Sequence, residues 1–175
     1  DGYRVKNDTD GIMQVLGADV LEWTETNLSV NTSYYRYVEA YNASGSSASA
    51  PAIVFTLANP PTNTTFLGVF QTSVTITWNV NNNPSYTRFG LSFSTDSAFS
   101  VAVSTPIDIT DNFTANTTNV TGLNSGTTYY FRTWAYNGDD IITAFDGPVS
   151  TKTISSAGVD SDIVLNEVLA NAIDE

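Results

Sequence analysis

Apolar and polar residues alternate with a period of two along most of this chain, and short polar breaks separate the alternating runs. A period of two sends successive side chains to opposite faces, so each run is expected to be a half-buried strand. The clearest is Ser73-Val-Thr-Ile-Thr-Trp78, with Val74, Ile76 and Trp78 on one face. Phe89, Leu91 and Phe93 alternate in the same way, and Val101–Val103 and Ile107–Ile109 are shorter strand expectations. Farther on, Tyr129, Phe131 and Ala135 share one face of a strand, with Arg132 and Trp134 on the other. Runs such as Asn81-Asn-Asn-Pro84 and Asn137-Gly-Asp-Asp140 are turn signals between them. No segment sustains a helical period, so the expected class is all-β, built as sandwiches of short antiparallel strands.

One of these strands occurs twice. Leu28-Ser-Val-Asn-Thr-Ser-Tyr34-Tyr35-Arg36-Tyr37-Val38-Glu39-Ala40-Tyr41-Asn42 aligns without a gap on Leu123-Asn-Ser-Gly-Thr-Thr-Tyr129-Tyr130-Phe131-Arg132-Thr133-Trp134-Ala135-Tyr136-Asn137, ninety-five residues later. A period of that length implies two copies of one β-domain in tandem.

The order and spacing of these pieces resemble the fibronectin type III family. Asn59-Pro60-Pro61-Thr62 resembles the domain opening, Val74/Ile76/Trp78 its B strand and Phe89/Leu91/Phe93 its C strand. Leu123–Asn137 resembles the E–F corner and F strand, and Gly147-Pro148-Val149 the G strand. The resemblance implies tandem immunoglobulin-like, fibronectin type III β-sandwiches: a complete one at 59–154 and a partial one at 1–58. It also implies structural roles for three residues. Trp78 would be the core indole, and Tyr34 and Tyr129 would form "tyrosine corners", each hydroxyl bonding back to the chain just upstream. A buried phenol needs such a partner.

In the first copy Gly2-Tyr3-Arg4-Val5 resembles the C strand, Glu22–Leu28 the E region, Tyr34–Asn42 the F strand and Ala50–Thr56 the G strand, while nothing corresponds to strands A and B. The first copy also has Arg36 where the second has inward-facing Phe131, which implies either an exposed position or a bulge. A sandwich without A and B leaves its E edge bare and one side of its core open. Two readings compete. Upstream sequence could supply the missing strands, or another subunit could donate them by strand addition.

Residues 155–161 read as a small-residue linker. Residues 162–175 form an apolar stretch that resembles the first strand of a lamin-tail-type domain. Ile163, Val164, Leu165, Val168 and Leu169 would alternatively serve as a donor strand, and a third reading is one short helical turn packed on the second domain.

Charge and composition narrow the chemistry. The formal net charge is −12 with only six basic residues, which opposes binding to nucleic acid or to anionic membranes. No run reaches the roughly 18 apolar residues of a membrane span. Cys and His are both absent, which removes thiol and histidine catalysis, disulfides and the commonest metal ligands. Asp8/Asp10 and Asp139/Asp140 lie beside Gly in turns, where Asp serves the backbone, and Lys6 breaks a calcium-loop pattern at Gly11. No catalytic, cofactor or metal residue is therefore assigned, and the chain is expected to be no enzyme.

Eight Asn-x-Ser/Thr sequons, at Asn7, Asn27, Asn31, Asn42, Asn63, Asn112, Asn116 and Asn119, are candidate N-glycosylation sites. Tyr130, Trp134 and Tyr136 are a candidate contact strip for a sugar or a neighbouring subunit, weighed against ordinary cross-strand pairing. The functional expectation is a non-enzymatic structural or adhesive module of an exported, extracellular or cell-surface protein. Its partners would be other protein domains or copies of itself, with glycans a further class. The alternatives are a filament subunit assembled by strand complementation, and an accessory region of a secreted polysaccharide-degrading enzyme.

Overall fold

The computed structural model of the protein describes residues 1–156; the stretch 162–175, with its donor-strand and lamin-tail expectations, lies outside the described residues. Twelve strands and a single 3-10 turn make up the described fold.

Residues 59–154 form a two-layer sandwich. One layer contains β6 (Thr62–Val69), β7 (Ser73–Asn79) and β10 (Thr117–Thr121), in the order β10-β7-β6. The other contains β8 (Arg88–Ser94), β9 (Ser104–Ile107), β11 (Thr128–Tyr136) and β12 (Asp146–Lys152), in the order β12-β11-β8-β9. The alternation decides the packing, because each strand must turn its apolar set toward the opposite sheet. Val74, Ile76 and Trp78 of β7 meet Phe89 and Leu91 of β8 and Tyr129, Phe131 and Ala135 of β11 in one buried cluster. Trp78 lies 5.8 Å from the Phe89 ring and 6.2 Å from Phe113, centroid to centroid.

Two strand expectations fail here. Val101–Val103 is not a strand. It belongs to the loop Asp96–Val103, where Asp96 accepts backbone hydrogen bonds from Ala98 and Ser100 and holds the chain in a turn. Ile107–Ile109 splits at Asp108, which caps the turn Ile109–Asp111 by accepting from the Thr110 amide, while Asp111 accepts from the Asp108 amide. A local side-chain bond replaces the ladder at the first place and ends it after Ile107 at the second.

Residues 1–58 form one sheet and no second layer. Its strands are β1 (Gly2–Lys6), β2 (Ile12–Gly17), β3 (Ser33–Asn42), β4 (Gly45–Ala48) and β5 (Ala52–Phe55), ordered β2-β1-β3-β4 with β5 also paired to β3. The expected C, F and G strands are β1, β3 and β5. The segment 20–32, which contains the expected E strand, has no strand structure. The reason is visible in the second unit, where β10 exists through its ladder with β7. With no equivalent of β7 to pair with, Glu22–Asn27 has no ladder to join.

Candidate functional site

The repeated Leu-to-Tyr motif builds the same corner twice. The Ser29 amide donates to Tyr34 Oη at 2.9 Å, and the Asn124 amide donates to Tyr129 Oη at 3.0 Å. The likeness extends to residues that the sequence pattern did not single out. Thr56 Oγ1 donates to the Ser29 carbonyl at 2.7 Å and accepts from the Thr32 amide at 3.0 Å. Thr153 Oγ1 donates to the Asn124 carbonyl at 2.6 Å and accepts from the Thr127 amide at 3.0 Å. Each corner is therefore locked to the end of its last strand, and both tyrosines are structural.

One of the differences between the corners, Asn31 against Gly126, contributes directly to the contact between the units. The third residue after the Leu is left-handed in both copies: Asn31 has φ 43 and Gly126 has φ 62. Only Gly and, among the rest, chiefly Asn and Asp visit this region at low cost. In the first copy the Asn carboxamide is put to use. It is 1% exposed, Nδ2 donates to Thr87 Oγ1 at 2.8 Å, and Oδ1 accepts from the Gly138 amide at 2.9 Å. Tyr86 Oη also donates to the Asn31 carbonyl at 2.7 Å.

Further bonds flank this clamp. The Phe55 amide donates to Asp139 Oδ2 at 2.7 Å, and Asn137 Nδ2 reaches the Phe55 and Thr56 carbonyls at 3.4 and 3.3 Å. Asn137 is itself held by the Asp139 and Ile141 amides on its Oδ1. The Phe55 ring lies so close over Gly138 that a Cβ there would stand 2.4 Å from it. The first unit's corner and last strand thus dock into the loops after β7 and β11 of the second unit. Loops that carry buried polar groups must pair them, and here each unit satisfies the other. The sequon reading of Asn31 does not fit this structure, because its Nδ2 is buried and bonded. The signal for its real role was in the repeat itself, at the Asn that replaces a turn Gly.

The second feature is the uncovered inner face of the first sheet. Tyr3, Val5, Leu16, Arg36 and Val38 line a groove of about 410 Å³, with Val20, Leu21 and Trp23 from the irregular segment along its rim. Arg36 turns inward without a bulge, because β3 keeps regular register with both β1 and β5. Its guanidinium donates to both Glu25 oxygens, at 2.6 and 2.8 Å, and to the Tyr35 carbonyl. Neither expectation for Arg36 holds. It is not solvent-exposed, since the pair is about four-fifths covered, and no bulge displaces it. The Arg36 bond holds the Glu25 carboxyl below its ordinary pKa.

The aromatic strip expected at Tyr130, Trp134 and Tyr136 is largely covered. Trp134 and Tyr136 are each 7% exposed, and Tyr130 is half-buried. Trp134 seats on Gly90, whose absent Cβ would stand 2.2 Å from the indole, and Phe145 packs edge-on against it at 5.4 Å. The other sequon asparagines, Asn7, Asn27, Asn42, Asn63, Asn112, Asn116 and Asn119, are exposed or half-exposed.

Three of the four carboxylates in these pairs are engaged in structure, Asp139 through the Phe55 amide. Asp10 holds Lys6 Nζ at 2.9 Å and accepts from the Tyr37 hydroxyl, which keeps its pKa below the ordinary value, and Asp140 pairs with Arg88. Among the described residues no group of three or more acidic side chains is arranged to hold a metal ion, and no helix is long and apolar enough to cross a membrane.

The family model for the fibronectin type III domain matches residues 59–144. Among solved structures, the fibronectin type III domain of human fibronectin type III domain containing protein 3 is similar over 58% of this chain and 90% of its own, at 16% identity and a TM-score of 0.46. The chicken CNTN1 FN1–FN3 domains are similar at 15% identity and a TM-score of 0.44. There 88% of this chain is covered, and the chain spans about half (54%) of that one. No curated protein matches this chain.

Proposed function

Residues 59–144 are a fibronectin type III domain, and on that premise we propose that this chain is a non-enzymatic structural or adhesive module of an exported multidomain surface protein, acting through protein–protein contacts. Fibronectin type III domains are commonly interaction or structural modules. The first unit is read as a second, partial copy of the same domain, on the strength of the duplicated tyrosine corner. The observation that carries the functional reading is the Asn31 clamp. A junction closed by buried side-chain bonds from both sides fixes the angle between units, as a spacing element requires. The test is alignment in solution. Residual dipolar couplings from the two units of the full chain are expected to fit one alignment tensor. Two independent tensors would remove the basis for a fixed-angle spacer.

The open inner face favours one second reading, a filament subunit completed by strand addition from a neighbouring copy. Its groove and the ladderless Glu22–Asn27 segment offer what an incoming strand needs, apolar pockets and free backbone groups. It predicts concentration-dependent assembly by sedimentation velocity, lost in Val38→Asp. A chain that stays monomeric at every concentration excludes it. Extracellular location and glycosylation follow from the exported reading, and seven of the eight sequons remain accessible for it.

A further inference from the structure

Arg132 stands apart from the other arginines. Among the described residues Arg4 pairs with Glu39, Arg36 with Glu25 and Arg88 with Asp140, and the Lys6 ammonium lies between Asp10 and Glu39. Arg132 has no carboxylate within salt-bridge distance among the described residues. Its guanidinium is instead held between two phenyl rings, 4.2 Å from the Phe99 centroid and 4.0 Å from that of Phe145. Nε donates to Ser92 Oγ at 3.0 Å, which sets the rotation of the plane. That is the only hydrogen bond the Arg132 side chain makes among the described residues.

The surroundings are built around this group. β8 lies beside β11 in the sheet and places Gly90, Ser92 and Ser94 opposite Trp134, Arg132 and Tyr130, so small residues make room for the large ones. Phe99 reaches Arg132 from a left-handed backbone, φ 55, which is costly for an aromatic residue. The Asp96 carboxylate holds that turn through the Ala98 and Ser100 amides. Backbone strain maintained by a dedicated carboxylate points to a position that matters. Val101 and Val103, on the same loop as Phe99, are exposed and apolar.

We infer that Arg132 is a preorganised carboxylate receptor on the outer face of the second unit, and that its ligand is an acidic side chain on an apolar-flanked segment of a protein partner. The reasons are complementarity and entropy. A guanidinium fork matches a carboxylate bidentately, and the Phe99 and Phe145 walls with the Ser92 tether have already restricted its rotamers. The exposed valines on the Phe99 loop suit hydrophobic neighbours on a peptide better than the hydroxyls of a sugar acid. The inference rests on the protein-contact reading for the nature of its partner and is independent of the clamp at Asn31.

The test is a titration of the full chain, followed by the Arg132 Nε–Hε and Ser92 amide resonances. The probes are acetyl-Val-Glu-Val-amide, its Gln counterpart and free glucuronate. The Glu peptide is expected to shift both resonances with a Kd on the order of 1 mM at low salt, and the Gln peptide to leave them in place. Arg132→Lys should weaken the response about tenfold or more, since a point charge cannot replace the fork. Phe145→Leu, which keeps the arginine and opens one wall, should weaken it less. Equal shifts from Glu and Gln peptides, no shift at all, or an undiminished response in Arg132→Lys would overturn the carboxylate site. Saturation by glucuronate alone would overturn the protein partner. The alignment-tensor result stands or falls separately.

Discussion

Replacing Asn31 by Gly tests the clamp with the least collateral damage. Gly occupies the equivalent left-handed position in the second corner, so the backbone φ of 43 stays accessible. What is lost is the carboxamide, with one bond to Thr87 Oγ1 and one from the Gly138 amide. Each such bond is worth about 0.5–1.5 kcal/mol net, and both lie in a buried contact, so the junction should weaken by about 1–3 kcal/mol. That is about a 5- to 150-fold shift toward an undocked first unit. The bonds from Tyr86, Phe55 and Asn137 remain, so the second unit should keep its own stability. Asn31→Ala should be worse than Asn31→Gly, although it is the larger residue, because a left-handed Ala adds about 1–2 kcal/mol of strain. The assay is twofold: dipolar couplings, in which the single tensor should split, and thermal unfolding followed by tryptophan fluorescence, in which Trp23 of the first unit should respond at lower temperature than in the parent. An unsplit tensor in both variants, or Ala tolerated better than Gly, would refute the role assigned to Asn31.

Four further outcomes are expected. Trp78→Ala should cost the second unit about 3–5 kcal/mol in chemical denaturation, because it empties the centre of the cluster between Phe89 and Phe113; a loss under about 1 kcal/mol would contradict that placement. Tyr129→Phe leaves the Asn124 amide without its acceptor and should cost about 1 kcal/mol, with Tyr34→Phe acting likewise on the first unit; two silent variants would show that the corners do not stabilise. Gly90→Ala drives a methyl into the Trp134 indole and should cost about 1–3 kcal/mol with a change in near-ultraviolet dichroism, whereas an unperturbed spectrum would mean the indole is not seated there. Acid should loosen the Glu22–Asn27 segment. Glu25 is held below its ordinary pKa by Arg36, so its contribution is full above about pH 4.3, the ordinary Glu value, and is lost as pH falls through the lower folded value. Amide exchange near Glu25 that is flat from neutral pH down to global acid unfolding, once corrected for intrinsic rates, would contradict the sign.

Strand identity in the second unit was readable because alternation is a local property with a global consequence. Val74, Ile76 and Trp78 can face only one way, and a two-layer sandwich is the economical means of burying them. The tyrosine corners were readable for the same reason, since donor and acceptor lie within five residues. The failures share a cause as well. Val101–Val103 looks apolar and extended, but Asp96 bonds to nearby amides and bends the chain, and Ile107 joins the ladder opposite Leu91 only for Asp108 to turn the chain after it. The edge strands β2 and β4 were not foreseen, because their side chains are largely exposed and lack a buried-face pattern.

By itself, the sequence determined the all-β class, the repeat, the core of the second unit and the absence of histidine and cysteine chemistry. All of these depend on residue type and short-range spacing. Only the tertiary structure decided what Asn31, Arg36, Trp134 and Arg132 do. Asn31 is a surface sequon until Thr87 and Gly138 close on it, and Arg36 is an anomaly until Glu25 folds across the open sheet. Trp134 faces outward until the missing side chain of Gly90 and the ring of Phe145 bury it. Arg132 is one charge among six until Phe99 and Phe145 close on it. In each case the partner lies at least eleven residues away, or has no side chain at all, so no local pattern could announce it.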